Sequence, residues 1–283
     1  MTENSFLRKI LLPIDESQSS LMAQETTVAV AKQTEAAVTV LHVIPVFRNA
    51  SDFPSRVQSE IIENTERRSE ALLSQAKTLF TEESIDVTLE SPRGDAAISI
   101  LDHSARGYDL LVMGACGENE KDQCKLGSVT KKVTRHTHIP TLIVKRITLL
   151  SNMLVCTDGS VHSVNALALA AKLAKRMNAK LTLLNVQEGM LWNVSPRTAE
   201  EAGSRILEST LKSAGEIGVE VQTQVEYGVS SNVIIDTAES GGYDLVVFGS
   251  RGLGSAGRFL LGSVSDDVCH NAKCSVLIVP PSA

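Results

Sequence analysis

Four stretches of this chain return further along it, in the same order. RKILLPIDES (8–17) recurs as SNMLVCTDGS (151–160), and VTVLHV (38–43) as LTLLNV (181–186), each displaced by 143 positions. YDLLVMG (108–114) recurs as YDLVVFG (243–249), and TLIV (141–144) as VLIV (276–279), each displaced by 135. Self-similarity on this scale means that one structural plan is built twice. The displacement falls by eight across the stretch around 45–90, so the second copy has a shorter connection there. The chain of 283 residues therefore divides near residue 148 into two domains, 1–148 and 149–283. Each, at roughly 140 residues, can bury a core of its own.

Within each copy, short apolar runs alternate with longer amphipathic stretches. In the first half, 8–14, 37–44, 85–90, 109–113 and 141–145 read as strands, and 18–34, 56–82, 95–105 and 127–137 carry apolar residues at helical spacing. The second half repeats the strands near 152–157, 180–186, 219–225, 244–248 and 275–279. Near-continuous Val, Ile and Leu strands alternating with helices are the pattern of a parallel sheet covered on both faces. Ser17 and Ser160 stand where they can cap the first helix of each half, and Gly107 or the pair Gly241 and Gly242 can close the third. The expected fold class is α/β, with two tandem doubly wound, Rossmann-like domains, each a five-stranded mainly parallel sheet flanked by helices. Such folds take ligands beyond the carboxyl ends of their strands, where Asp15, Gly114, Asp158 and Gly249 all fall.

Composition narrows the partners. A net charge of −6 and 4% aromatic residues disfavour nucleic acid, which calls for clustered cations and stacking rings. No window approaches the roughly 18 apolar residues of a membrane span, and the polar start, Met1 to Ser5, carries no signal core. A soluble, cytoplasmic protein is expected. The five cysteines, Cys116, Cys124, Cys156, Cys269 and Cys274, form no close pair of the metal-ribbon type, and their odd number argues against a disulfide framework. Cys269, His270 and Cys274, or His136 and His138, lack the fourth ligand that a structural zinc needs, so no metal site is assigned.

The most chemical segment is Gly249-Ser250-Arg251-Gly252, continuing through Arg258 to Gly262-Ser263-Val264. Glycines let the backbone approach an anion closely. A helix opening at Gly262 and Ser263 would present amides and the positive end of its dipole, and Arg251 and Arg258 suit phosphate. The same letters also fit a glycine-rich surface loop with an ordinary helix cap. The spacing Gly-x-x-Gly, nine residues, Gly-Ser, with the flanking RFLLGSVS (258–265), the closing CSVLIV (274–279) and Asp158-Gly159-Ser160-x-x-Ser163, resembles the nucleotide-binding signature of the universal stress protein family. The resemblance covers the chain twice and implies a tandem, universal-stress-protein-like member.

The resemblance also implies roles. Asp158 would lie near base and ribose and help hold a phosphate-bound Mg²⁺. Val186 would contact adenine through its backbone, and Gly249, Gly252, Gly262, Ser263 and Val264 would surround ribose and phosphates. Their plainer roles are a helix cap for Asp158 and core for Val186. The first half keeps the spacing with Asp15, Val43, Gly114, Gly117, Gly127, Ser128 and Val129, but its loop carries Glu118, Glu120 and Asp122, and Glu16 replaces the glycine after the aspartate. Those acids repel a triphosphate unless a cation intervenes. The implied ligand is ATP, or ADP or AMP, chiefly in the second half. The implied function is a stress-response regulator whose nucleotide occupancy alters contacts with an unidentified protein partner. A nucleotide-independent interaction or chaperone-like module, and a slow ATPase or phosphotransferase, are the alternatives. In the family, domains pair through their last strands. Strands 141–145 and 275–279 are therefore expected to pair across an internal pseudo-twofold, a pseudo-dimer in one chain that is compatible with further homodimerisation.

No catalytic motif is present: there is no nucleophile elbow, His-Glu-x-x-His or Walker lysine, and His42 and His103 have no partner legible in the sequence. Ser240-Gly241-Gly242 resembles a pyrophosphatase loop but precedes a strand instead of following the first one, so a helix end is expected there. The polar stretch at 48–70 fits a solvated helix face, a partner surface or a lid.

Overall fold

A computed structural model describes residues 6–46, 54–117, 126–188, 195–250 and 261–281. The first half runs β1 (Lys9–Pro13), α1 (Gln18–Thr34), β2 (Ala37–Leu41), β3 (Ile44–Pro45), α2 (Ser55–Glu82), β4 (Val87–Glu90), β5 (Arg93–Gly94), α3 (Ala96–Ser104), β6 (Leu110–Gly114), α4 (Ser128–His136) and β7 (Thr141–Val144). The second runs β8 (Asn152–Cys156), α5 (Val161–Met177), β9 (Lys180–Gln187), α6 (Pro196–Ala214), β10 (Val221–Tyr227), α7 (Ser230–Ser240), β11 (Leu245–Gly249), α8 (Ser263–Asn271) and β12 (Ser275–Val279). The fold is α/β, as the alternation requires.

All main strands join one ten-stranded sheet in the order β10-β9-β8-β11-β12-β7-β6-β1-β2-β4. Pairing is parallel throughout except at the middle, where β12 and β7 run antiparallel, Leu277 opposite Leu142 and Ile278 opposite Thr141. The two last strands thus pair as expected, and their antiparallel sense is what a twofold normal to the sheet produces. Because that operation keeps each half's faces on the same side, helices α1, α2, α5 and α6 pack on one continuous apolar cluster spanning both halves. Helices α3 and α4, and α7 and α8, cover the other face. Both central strands are wholly buried, so separating the halves would expose several branched side chains, each costing about 1.5–3 kcal/mol.

Polar contacts fix the register of the seam. Lys145 is 7% exposed, and its ammonium donates to the Ala272 carbonyl at the end of α8 at 2.5 Å, where the helix dipole favours a cation. Arg146 donates to the Tyr243 carbonyl at 2.8 Å. Arg135 on α4 meets Asp266 on α8 at 3.2 Å.

Local signals explain the elements. Ser17 and Ser160 accept from the amides of Ser20 and Ser163, capping α1 and α5. Both helices end on a left-handed residue, Glu35 and Asn178. α7 ends at Ser240, with Gly241 as its cap and Gly242 at a positive φ of 62°, so the Ser-Gly-Gly run is a helix end. Two differences from the sequence expectation stand out. The strand expected over 37–44 stops at Leu41, because His42 and Val43 turn out of the sheet before Ile44 pairs with Arg93 in a separate two-stranded ribbon. Strand β10 lies two residues later than expected, its register set by pairing with β9 from Val221 opposite Leu181. The extra length of the first half is helix: α2 has 28 residues where α6 has 19, and no residue of α2 before Ser69 is buried.

Candidate functional site

The repeat builds one local architecture twice at the carboxyl ends of the strands. After β1, Asp15 Oδ1 accepts from the Ser17 amide at 3.0 Å and from the Ser17 hydroxyl. After β8, Asp158 Oδ1 accepts from the Ser160 amide at 3.0 Å. Each aspartate closes an Asx turn that aims the serine which caps the helix. Gly159 follows Asp158 at φ +83°, a conformation that favours glycine. Glu16, in the same place, is not among the residues with positive φ, so the two turns differ in shape.

The strand-end glycines have a packing role. A Cβ on Gly114 would stand 2.7 Å from the carbonyl carbon of Ser19 on α1, and one on Gly249 2.7 Å from that of His162 on α5. Beyond them the chain returns by the same bonds in both halves. The Gly127 amide donates to the Ala115 carbonyl at 2.8 Å, and the Gly262 amide to the Ser250 carbonyl at 3.0 Å. Thr130 and Ser265 donate their hydroxyls to the carbonyls of Gly114 and Gly249 at 3.0 and 3.3 Å. Gly127 and Gly262 are the N-caps of α4 and α8, both with φ near −60° and neither with a side-chain cap bond. A glycine here leaves the amides of the first helical turn to be satisfied from outside the loop.

In the first half these pieces line a cleft of about 380 Å³, within the range of small-molecule sites. Asp15, Val43, Gly114, Gly117, Gly127, Ser128 and Val129 all border it. Gly117 sits so close to Asp15 that a Cβ would approach Oδ2 to 3.1 Å. In the second half, Asp158, Gly249, Gly262, Ser263 and Val264 occupy the repeat-equivalent positions, with Ser263 and Val264 exposed. Val186 is partly buried in β9 against the second-half core. Arg251, Gly252 and Arg258, with Glu118, Glu120 and Asp122, lie outside the described residues.

The electrostatics of the first cleft come from residues that spacing could not link. His42, at the end of β2, bonds through Nδ1 to Ser69 on α2 at 2.8 Å, and Ser69 to Ser91 at 2.8 Å. Burial lowers the His42 pKa, against the opposing pull of Asp15 and Glu16. The Arg68 guanidinium bonds both oxygens of Glu16 and holds its carboxyl below the usual range. Only the polar character of α2 was legible in advance; that Ser69 and Arg68 face this rim comes from the fold. His103 is buried between the Glu90 carboxylate, 2.9 Å from Nε2, and the Ser99 carbonyl, 2.6 Å from Nδ1, away from the cleft. Among the described residues no three His, Cys, Asp or Glu side chains could together hold a metal. Burial pushes the thiols of Cys156, Cys269 and Cys274 up. No helix among the described residues is long and apolar enough to cross a membrane.

Comparison with known proteins gives a consistent result. The model of the universal stress protein family matches residues 7–145 and again 150–280. A universal stress protein of Methanocaldococcus jannaschii is 34% identical over 141 residues, 46% of this chain and 82% of that protein. Another from Bacillus subtilis is 33% identical over 147 residues, 46% of this chain and 99% of its own. The crystal structure of a universal stress protein from Archaeoglobus fulgidus superposes with a TM-score of 0.77 at 25% identity, covering 99% of this chain and all of that one.

Proposed function

This chain belongs to the universal stress protein family, and from that premise we propose that it is a regulatory protein that binds an adenine nucleotide, chiefly in its second half, and passes occupancy on to a protein partner. Residues 1–148 and 149–283 are its two binding units. The observation that carries the proposal is the second-half helix α8. It opens at Gly262 with no side-chain cap; it follows β11, whose neighbour β8 is followed by Asp158 and Ser160, and in sequence it comes after Arg251 and Arg258. Uncapped amides, a helix dipole and two guanidinium groups are suited to phosphate. Asp158 offers one carboxylate at that edge, enough for a Mg²⁺ held mainly by phosphate oxygens and water. Magnesium would supply charge neutralisation there.

The test is to denature freshly purified protein and identify released small molecules by ion-exchange chromatography with mass detection, beside Gly262→Glu, whose carboxylate would occupy the phosphate position. About one adenine nucleotide per chain, absent from the variant, supports the proposal. A chain that neither carries nucleotide nor binds added ATP with Mg²⁺ refutes it.

One observation favours partner contact through another surface. The first fourteen residues of α2 bury no side chain and expose Ile62. A nucleotide-independent interaction module would use this projecting segment. Trimming α2 to the length of α6 would then abolish partner capture without changing nucleotide content.

A further inference from the structure

The sheet ends on two unlike edge strands. β4 has four residues, and its last, Glu90, is held by His103 and Arg106. β10 has seven, Val221–Tyr227, and among the described residues no strand pairs with its outer side. Natural edges are blunted by shortness, proline, lysine or a bulge. β10 has no proline or lysine, and its ladder to β9 runs unbroken through all seven residues. The undescribed internal segments of the second half, 189–194 and 251–260, leave and rejoin it at the carboxyl ends of strands. Neither is long enough to run out and back along an edge of about 23 Å.

The backbone fixes which groups are open. The Gly228 amide donates to the Gln187 carbonyl at 3.2 Å, so Gln222, Gln224 and Glu226, in phase with it, turn their amides and carbonyls to β9. Val221, Thr223, Val225 and Tyr227 turn theirs outward. The side chains alternate as well. Val221 and Val225 lie against the core on the α6 side, and Tyr227 bonds Glu200 on that helix, which leaves Gln222, Gln224 and Glu226 on the opposite face.

Such an edge is self-complementary in one register. Antiparallel pairing about a twofold at Gln224 sets Val221 opposite Tyr227 and Thr223 opposite Val225, so every outward amide and carbonyl meets a counterpart. The same register sets Gln222 of one copy opposite Glu226 of the other, an amide donor facing a carboxylate, with no like charges opposed. Gln224 donates to Glu226 Oε1 of its own chain at 2.8 Å, which leaves Oε2 for that donor. An axis at Thr223 or Val225 instead leaves one outward residue of each copy beyond its partner's strand. The operation is one that the chain already uses, since β7 and β12 join two parallel halves through a twofold normal to the sheet.

We propose that β10 is a self-docking edge: two copies of the chain pair antiparallel through it, with the axis at Gln224, and extend the sheet across both.

Sedimentation equilibrium of the full chain, from micromolar to hundreds of micromolar, tests it. The expected mass at the upper end is that of two chains. Thr223→Pro removes an outward amide and no bond to β9, at an edge where proline is tolerated, and should weaken the dimer about tenfold or more. Gln224→Cys brings two thiols together at a non-hydrogen-bonded pair, where Cα atoms stand about 4.5 Å apart and a disulfide can form. Mild oxidation should join the copies through residue 224, identified by peptide mass, at least about tenfold faster than it joins Gln222→Cys through residue 222, because the two copies of that position lie four residues apart along the pair. A chain that stays monomeric throughout overturns the proposal. So does a dimer that survives Thr223→Pro in a folded chain, or one in which Gln224→Cys joins no faster than Gln222→Cys. If Thr223→Pro does not fold, the comparison of the two cysteine variants decides.

Discussion

Replacing Gly249 by alanine separates two reasons for a glycine at the end of β11. The added methyl would stand 2.7 Å from both the carbonyl carbon and the Cβ of His162, and 2.8 Å from its carbonyl oxygen. Carbon atoms rest at about 3.5–4.0 Å, so the first turn of α5 must withdraw by roughly 1 Å, and most of what it meets is backbone, which cannot rotate away. Forcing one carbon into a close-packed contact costs about 1–3 kcal/mol. With about 2–4 °C lost per kcal/mol in chains near this size, Gly249→Ala should melt about 2–12 °C below the parent. Gly114→Ala meets Ser19 at the same distance and should behave alike. The assay is a calorimetric melt of protein stripped of small molecules, which removes any contribution from a bound ligand. If both alanine variants melt within a degree of the parent, helix packing is not what requires these glycines, and close approach of a ligand is left as the reason.

Lys145→Met keeps the buried stem but removes the donor from the Ala272 carbonyl, and should lower stability by about 1–3 kcal/mol, read as a shift in urea midpoint at unchanged slope. Cys156, Cys269 and Cys274 are held as thiols by burial, so a thiol-disulfide reagent at pH 8 should label them only after denaturation; fast labelling in the folded protein would contradict their burial. Burial lowers the His42 pKa from its ordinary 6.5, so the unfolded chain takes up this proton first. Its contribution is favourable above that value and declines as pH falls from 6.5 toward the folded midpoint. NMR should place the His42 midpoint below 6.5, and His42→Asn should remove part of the loss of stability between pH 7.5 and 5.

The architecture was legible because its signals are local and appear twice. The Asp-x-Ser turns, capping serines, apolar strands and strand-end glycines all lie within a few residues of the element they shape, and the repeat supplied an internal check on each. What joins the halves was not legible from residue chemistry. The burial of Lys145 and its bond to Ala272, 127 positions away, depend on a twofold that only the fold creates. The polar side of the first cleft was hidden for the same reason. His42 stood without a partner because Ser69 arrives from a helix 27 residues on, one that also reads as plain solvated surface. Arg68 reaches Glu16 across 52 positions. The strand-end glycines were recognised for their spacing, but their packing against α1 and α5 gives them a second reason that no motif states.

That second reason bears on how the two halves can differ. Gly114, Gly249 and the paired hydroxyl bonds from Thr130 and Ser265 belong to the frame: they set helix against strand whatever occupies the crevice. Their presence in both copies therefore says little about ligand. The positions that diverge are ones that each half bonds differently. In the first half these are Glu16, His42 and Cys116; in the second, the equivalent positions hold Gly159, Asn185 and Arg251. Each difference removes a cation or adds an ionisable group at the first cleft, and each first-half residue also bonds a helix, Glu16 to Arg68, His42 to Ser69 and Cys116 to Ser19, while Asn185 donates to the Thr157 carbonyl. A duplicated chain therefore changes the crevice of one half only together with the helix contacts that those residues make. Exchanging these residues between halves should lower the melting temperature, because Ser69, Arg68 and the Thr157 carbonyl lose their partners; a swap that leaves it unchanged would show that these bonds do not belong to the frame.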